Sequence, residues 1–524
     1  MKVSTVQEMR DLDAQAMSRY EIPGQLLMEN AGGAVYYVIL HEMGVVGHRF
    51  TVLSGPGNNG GDGFVVARKL HSTGAQVRVL LFCDPSSYSE PARGNLRRLE
   101  MAGVEVSTDP ALAEVSSVLA EGDAVVDGLL GTGLKGEVAG RMKDVIGLVN
   151  DSKKPVFSID IPSGVDGNTG EIRGAAIRAT WTIAFGLPKR GNLLGHGPEC
   201  GGRLFVSHIS FPPELIAKAG IEVETNEPVL LPFPGEGRSA DSGGDIFFVA
   251  GARNPIDSTA FSSMALVEVA GSPARFAVPR SLVSAMEGLS GKIILVPQDE
   301  TDTGTFALSS LEKLLSLGQQ ADLVILGPGV SPSEETRELT RRLCEELEGP
   351  LLLNGNIFPE GAGDLALVGR RRAPTIWLLQ PPEMARLSNS MADKSGKDPI
   401  ASVQTLCAEA DAIVVLRSRP VLIGLPEGRV FVDLTDRFLG SNGERCNVLP
   451  GLIGAMTRLG LPPEEAVRNG VFLRGVAGDL AAQRAGEEIP TGRQIVQALP
   501  VVIKALREDF SGTLANLHGT MELV

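Results

Sequence analysis

TVLSGPGNNGGDGFVVARKL, Thr51 to Leu70, decides the reading of this chain. It joins an apolar strand end (Phe50 to Leu53), a glycine-rich turn and a helical pattern from Gly63 onward. Gly55, Gly57, Gly60, Gly61 and Gly63 let the backbone take positive φ and approach a ligand closely. Where such a turn opens a helix, unpaired N–H groups and the positive end of the dipole converge, which suits phosphate or another anion. Asn58, Asn59 and Asp62 add side-chain oxygens for a hard cation or a ligand hydroxyl. A turn needed only for packing has no use for two adjacent amides and an acid.

Outward from this turn, strands and helices alternate. Val6, Met9, Leu12, Ala16 and Met17 recur at helical spacing over 5–18. A second helix spans 25–43; its LLMENAGGAVYYVIL is apolar nearly all round and reads as buried. Within it, Glu29 and Asn30 either pair inside the fold or face a site. Strands follow at 50–54, 76–82, 103–107, 123–127, 155–160 and 180–185, with helices at 63–74, 90–102, 110–119 and 140–150. Continuous apolar strands such as DAVVD and PVFSID predict a parallel sheet covered on both faces, with ligands beyond its carboxyl edge.

At 524 residues the chain is expected to hold at least two domains. It is 43% hydrophobic and 21% charged, a globular composition. A net charge of −15 argues against nucleic acid as a partner. Cys83, Cys200, Cys344, Cys407 and Cys446 form no CxxC pair, which fits buried reduced thiols and a cytoplasmic protein. No apolar run approaches the roughly 18 residues of a spanning helix, so no membrane association is expected.

Three strand ends carry polar, glycine-rich turns: SGPGNNGGDG, then Asp127 to Glu137 (DGLLGTGLKGE), then Asp160 to Gly170 (DIPSGVDGNTG). Together at one sheet edge they make a pocket of acids, amides and backbone donors. Asp127 and Asp160 end buried strands and are costly to desolvate without partners.

LMENAG (Leu27 to Gly32), GPGNNGGDG (Gly55 to Gly63), VDGLLGTGLKGE (Val126 to Glu137) and DIPSGVDGNTG, in this order and spacing, resemble the NAD(P)H-hydrate epimerase domain. The resemblance implies a Rossmann-like fold that interconverts the R and S epimers at C6 of hydrated NADH and NADPH. It further implies that Asn58, Asn59, Gly60, Gly61 and Asp62 contact the hydrated nucleotide. Gly131, Thr132, Gly133, Leu134, Lys135, Gly136 and Glu137 would contact it too. Asn59, Asp127 and Ser163 would hold a potassium ion, and Asp160 would sit at the reacting ring as the acid–base carboxylate.

The expected layout is an epimerase domain over 1–222, a proline-rich linker over 223–240 and a second α/β domain over 241–524. The order of apolar runs in the second domain resembles the ribokinase-like ADP/ATP-dependent NAD(P)H-hydrate dehydratase. FVAGARNPIDSTAF (Phe248 to Phe261), LGPGV (Leu326 to Val330) and QPPEMARL (Gln380 to Leu387) carry that likeness. Three departures stand out. LLQPPE lacks the family's His, Arg417-Ser418 replaces its Lys-Gly, and Gly443-Glu444-Arg445-Cys446-Asn447 replaces Gly-Gly-Ser-Gly-Asp. Glu444 and Cys446 block close backbone approach to a polyphosphate, Glu444 adds a repelling charge, and Asn447 cannot act as a carboxylate base. The departures predict a domain that keeps the fold without the dehydratase chemistry, with ADP or ATP as cofactor only if this half is active. The expected partners are the small-molecule hydrate and further copies of the chain. A fully bifunctional enzyme and a non-catalytic nucleotide-binding scaffold are the alternatives.

Overall fold

The computed structural model describes residues 1–229, 231, 244–251, 256–271, 273–286, 292–327, 333–355, 362–390, 398–435, 447–486, 489–510 and 521–523. The chain divides into two units, Met1–Ile221 with His518–Val524, and Glu222–Leu517.

The first unit opens with helix α1 (Val6–Arg19), started by a capping box in which Thr5 Oγ1 accepts from Glu8 N–H and Glu8 Oε2 from Thr5 N–H. Helix α2 (Gly24–Glu42) buries Leu27, Met28, Ala31, Val35, Val38 and Ile39, as its all-round apolar sequence requires. There follow β1 (Arg49–Ser54), α3 (Asn58–Ser72), β2 (Gln76–Leu81), α4 (Glu90–Met101), β3 (Glu105–Thr108), α5 (Leu112–Glu121) and β4 (Ala124–Gly128). The unit continues through α6 (Gly140–Ser152), β5 (Val156–Ile159), β6 (Trp181–Phe185), α7 (Arg190–Leu193), α8 (Gly197–Gly201), β7 (Arg203–Ser207) and α9 (Pro213–Ala217).

The strands form one sheet in the order β7-β6-β5-β4-β1-β2-β3, and the C-terminal strand Met521–Leu523 adds beside β7. Every pairing is parallel. The chain leaves β1 toward β2 on one side and reaches β4 on the other, so the switch point falls at the β1–β4 pair.

Helix α3 begins at Asn58, earlier than the start expected at Gly63. Gly57, at φ 97°, turns the chain into it, so the amides and Asp62 lie in the helix's first turns. A Cβ on Gly55 would stand 1.8 Å from the Leu129 carbonyl oxygen, so the loops after β1 and β4 pack backbone to backbone.

The second unit carries β8 (Val223–Thr225), β9 (Ile246–Val249), β10 (Ala274–Pro279), β11 (Ile293–Gln298), β12 (Leu323–Leu326), β13 (Leu351–Asn354), β14 (Thr375–Leu379), β15 (Ile413–Leu416), β16 (Val421–Gly424) and β17 (Val430–Asp433). Their order is β11-β10-β9-β12-β13-β14-β15-β16-β17-β8, parallel except for the β15–β16 and β16–β17 pairs. Residues 223–225, read from sequence as linker, are an edge strand held in place by Asn226, whose Nδ2 donates to Asp433 Oδ2 at 2.6 Å. Residues 232–243 lie outside the described set, as do 252–255 of FVAGARNPIDSTAF and 328–330 of LGPGV. Among the described residues, no helix is long and apolar enough to cross a membrane, and Cys83, Cys200, Cys344 and Cys407 are in no disulfide.

Candidate active site

The carboxyl ends of β1, β4, β5 and β6 open into one cavity of about 730 Å³. Asn58, Asn59 and Asp62 reach it from the first turns of α3, and Gly131 to Lys135 from the loop after β4. Asp160 enters after β5, and Lys189 after β6. Of the residues that the resemblance assigned to the hydrate, Gly60, Gly61, Gly136 and Glu137 are not on the cavity wall. Gly60 and Gly61 are buried inside the α3 turn, where a Cβ would collide with Gly55 O or Ala92. Glu29 and Asn30 also lie off this wall. Glu29 pairs with Arg68 and Lys69 at 2.5 and 3.0 Å, and Asn30 Nδ2 donates to Ser210 Oγ at 2.8 Å.

Asp160 sits at φ 67°, a strained conformation for a residue with a Cβ. Its N–H donates to Ile183 O at 2.8 Å, and its carbonyl accepts from Asn192 Nδ2 at 3.2 Å. These bonds hold the strain and aim the carboxylate. Oδ1 accepts from Phe185 N–H at 3.1 Å and from the ammonium of Lys189. Lys189 is 1% exposed and also donates to Phe185 O at 3.0 Å and Leu187 O at 3.2 Å. All three of its N–H bonds are therefore used within the protein.

Two further acids face this pair. Asp62, 7% exposed, makes no side-chain hydrogen bond among the described residues. Burial, then the negative charges of Asp160 and Asp13, holds its carboxyl well above the usual range. Asp13 enters the cavity from α1; burial pushes it up to about 6, with Asp160 adding to the rise and Lys189 opposing it. Sequence reasoning missed both Lys189 and Asp13. The signals were present: Lys189 follows the apolar strand WTIAFGLP, and Asp13 lies four residues after Met9 on the buried face of α1.

Deeper in the edge, Asp127 is fully buried. Its carboxylate accepts from Ser158 Oγ at 2.8 Å, Ser163 N–H at 2.9 Å and Ser163 Oγ at 2.5 Å. Burial raises its pKa, and these hydrogen bonds oppose the rise. Asn59 is 9% exposed, its side chain lies against the Gly131 backbone, and its Nδ2 is buried without a partner. A half-turn of that amide would put its oxygen where the unpartnered nitrogen now lies. Ser163 Oγ also lies 3.1 Å from Leu130 O, an alternative acceptor that frees a lone pair on Asp127. A buried carboxylate with no cationic partner, an orphaned amide and a hydroxyl fit a hard monovalent cation. No cluster of three His, Cys, Asp or Glu side chains suited to a metal is found among the described residues.

In the second unit, Arg417 follows β15, 5% exposed, with Nη1 3.1 Å from Asn354 Oδ1 and Nη2 3.9 Å from Glu383 Oε2. Asn447 precedes helix Val448–Arg458, and its carbonyl accepts from Ser262 Oγ. Glu444 and Cys446 lie outside the described residues.

The two halves match separate family models, one described as YjeF-related protein N-terminus over residues 24–191 and one as NAD(P)H-hydrate dehydratase over 277–500. A bifunctional NAD(P)H-hydrate repair enzyme of Thermofilum pendens is 37% identical over 516 residues, 98% of this chain and 98% of that protein. The chain belongs to the family of bifunctional NAD(P)H-hydrate repair enzymes. Its relative of the same name in Moorella thermoacetica is 30% identical, covering 98% of this chain and 99% of that protein. A solved ADP/ATP-dependent NAD(P)H-hydrate dehydratase from Bacillus subtilis, crystallised with ATP and Mg²⁺, is 17% identical with a TM-score of 0.42. It covers 52% of this chain and 94% of that one. The Thermofilum and Moorella relatives are named bifunctional, so the expectation of an inactive second half gains no support from them.

Proposed function

We propose that the first unit epimerises hydrated NADH and NADPH at C6 of the nicotinamide ring. The observation that carries this reading is the meeting of Asp160, Asp62 and the 131–135 loop in one cavity at the sheet's switch point. The C6 centre is a hemiaminal, with hydroxyl and ring nitrogen on one carbon. Inverting it requires removing the hydroxyl proton, breaking a bond at C6 and closing it on the other face. Asp160 has one carboxylate oxygen anchored by Lys189 and Phe185, which leaves the other to take that proton. Gly131 to Lys135 and Asn58 supply backbone and amide groups for the nucleotide.

Asn59, Asp127 and Ser163 would hold potassium, the cation the resemblance implies. When bound, it would offset the buried Asp127 charge and fix the loops after β1, β4 and β5. Thermal melting should then rise in potassium chloride relative to tetramethylammonium chloride, and S163A should remove the rise.

The second unit is dehydratase-type in fold, and we read its chemistry as altered at Asn447. The neutral amide before helix Val448–Arg458 supports that reading, and the name bifunctional carried by the Thermofilum and Moorella relatives supports full bifunctionality. Supplying the S epimer with ADP or ATP separates them, because NADH formed above background requires a working second unit. Silence with both epimers would favour a nucleotide-binding scaffold instead.

A further inference from the structure

We propose that Asp62 is the proton donor of the epimerisation, acting beside Asp13 on the same cavity wall. The proposal rests on the epimerase reading of the first unit and names a group that reading leaves unassigned. Opening the hemiaminal consumes one base and one acid. Asp160 takes the hydroxyl proton, the C6=O bond forms, and the C6–N1 bond breaks with its electron pair passing to N1. There the pair is delocalised toward the ring carboxamide, and a proton from Asp62 completes the open-chain amine. Rotation about C5–C6 presents the other face. N1 then adds to the carbonyl, returning one proton to Asp62 while Asp160 gives the other to the new hydroxyl. Nothing is oxidised or reduced, and both protons are recovered.

The donor cannot be Lys189, whose three N–H bonds end on Asp160, Phe185 and Leu187. Arg10 lines the cavity but does not give up its proton, and Lys135 is exposed to solvent. Asp62 is buried, lines the cavity and spends neither oxygen on a protein donor among the described residues. The charged groups on this wall are Asp13 and Arg10 from α1, Asp160 after β5, Lys189 after β6 and Lys135 after β4; neither α2 nor α4 contributes one. Burial, then two negative neighbours, raises the Asp62 carboxyl well above the usual range and so favours its protonated form.

The test uses the full chain and the R epimer of hydrated NADH, coupled to an unrelated dehydratase in excess, over a range of pH. D62N keeps the shape and removes the proton; kcat should fall by about 10²–10³-fold with KM changed by less than about threefold. D13N removes one of the two negative neighbours of Asp62. It should lower kcat by about tenfold and start the alkaline loss of activity at lower pH. D62N with kcat within about threefold of the unsubstituted chain overturns the donor, and an alkaline limb unmoved in D13N overturns the role of Asp13. Should D62N fail to fold by circular dichroism, the D13N profile decides for both residues. An unsubstituted chain without epimerase activity removes the underlying reading, whereas an active chain with an active D62N removes only this proposal.

Discussion

Along the carboxyl edge of the first sheet, Asp13, Asp62 and Asp160 face one buried ammonium, Lys189; along that of the second, Arg417 is met by Glu383 and Asn354. The first edge gathers three acids in a cavity, Asp62 among them without a hydrogen-bond donor among the described residues and Asp160 on a strained backbone. Such an arrangement is costly and persists where function requires it. The second edge balances its buried cation with its own side chains, which suits a framework as well as a site. A buried acid left without a donor, unlike mere burial of polar residues, is what separates the two.

The largest expected effect breaks the first edge. D160N should lower epimerisation of the R epimer by about 10³-fold in kcat, because an amide cannot accept the hydroxyl proton. Full activity in D160N would remove this residue from the mechanism. Next, the second edge can be sharpened. E444G/C446G/N447D should raise NADH formation from the S epimer with ATP by about 10²-fold over the unsubstituted chain. If the unsubstituted chain already matches an active dehydratase, Asn447 does not mark a lost activity.

K189M tests the charge balance itself. Removing the ammonium leaves the half-buried Asp160 carboxylate without a cation and with the Phe185 N–H as its remaining donor among the described residues, and should cost about 3–5 kcal/mol in urea unfolding. A loss under about 1 kcal/mol would show that water or another group satisfies Asp160. The smallest effect has the opposite sign. Asp13 binds its proton more tightly folded than unfolded, its pKa moving from 3.8 to about 6. Its penalty is absent below the unfolded value, grows as pH rises to about 6 and stays constant above. D13N should therefore gain roughly 2–3 kcal/mol of stability at pH 7.5 and almost nothing at pH 3. Equal stability changes at both pH values would contradict the assignment.

Much of the first edge was legible in the sequence, because three βα turns in a parallel sheet must meet at one end. Asn58, Asn59, Asp62, Asp127 and Asp160 are set by local turn chemistry and strand order alone. Lys189 escaped because the last strand was followed only to its apolar end at Phe185, and the ion pair with Asp160 joins residues 29 apart. Asp13 escaped because its helix was read for its apolar stripe, with the acid inside that stripe passed over. The start of α3 at Asn58 depends on Gly57 adopting positive φ, which pattern does not reveal. In the second unit, β8 lies in a proline-rich stretch and finds its partner β17 only through the fold. Arg417 likewise gains its partners from β13 and from the helix after β14, contacts that no local reading supplies.

The central claim is that the first cavity moves the C6 hydroxyl between faces. Its most direct measurement is NADH recovery from the pure R epimer, with an unrelated dehydratase and its nucleotide in excess. Recovery faster than the spontaneous epimerisation, and lost in D160N, is the predicted result. Recovery at the spontaneous rate in the unsubstituted chain would contradict it.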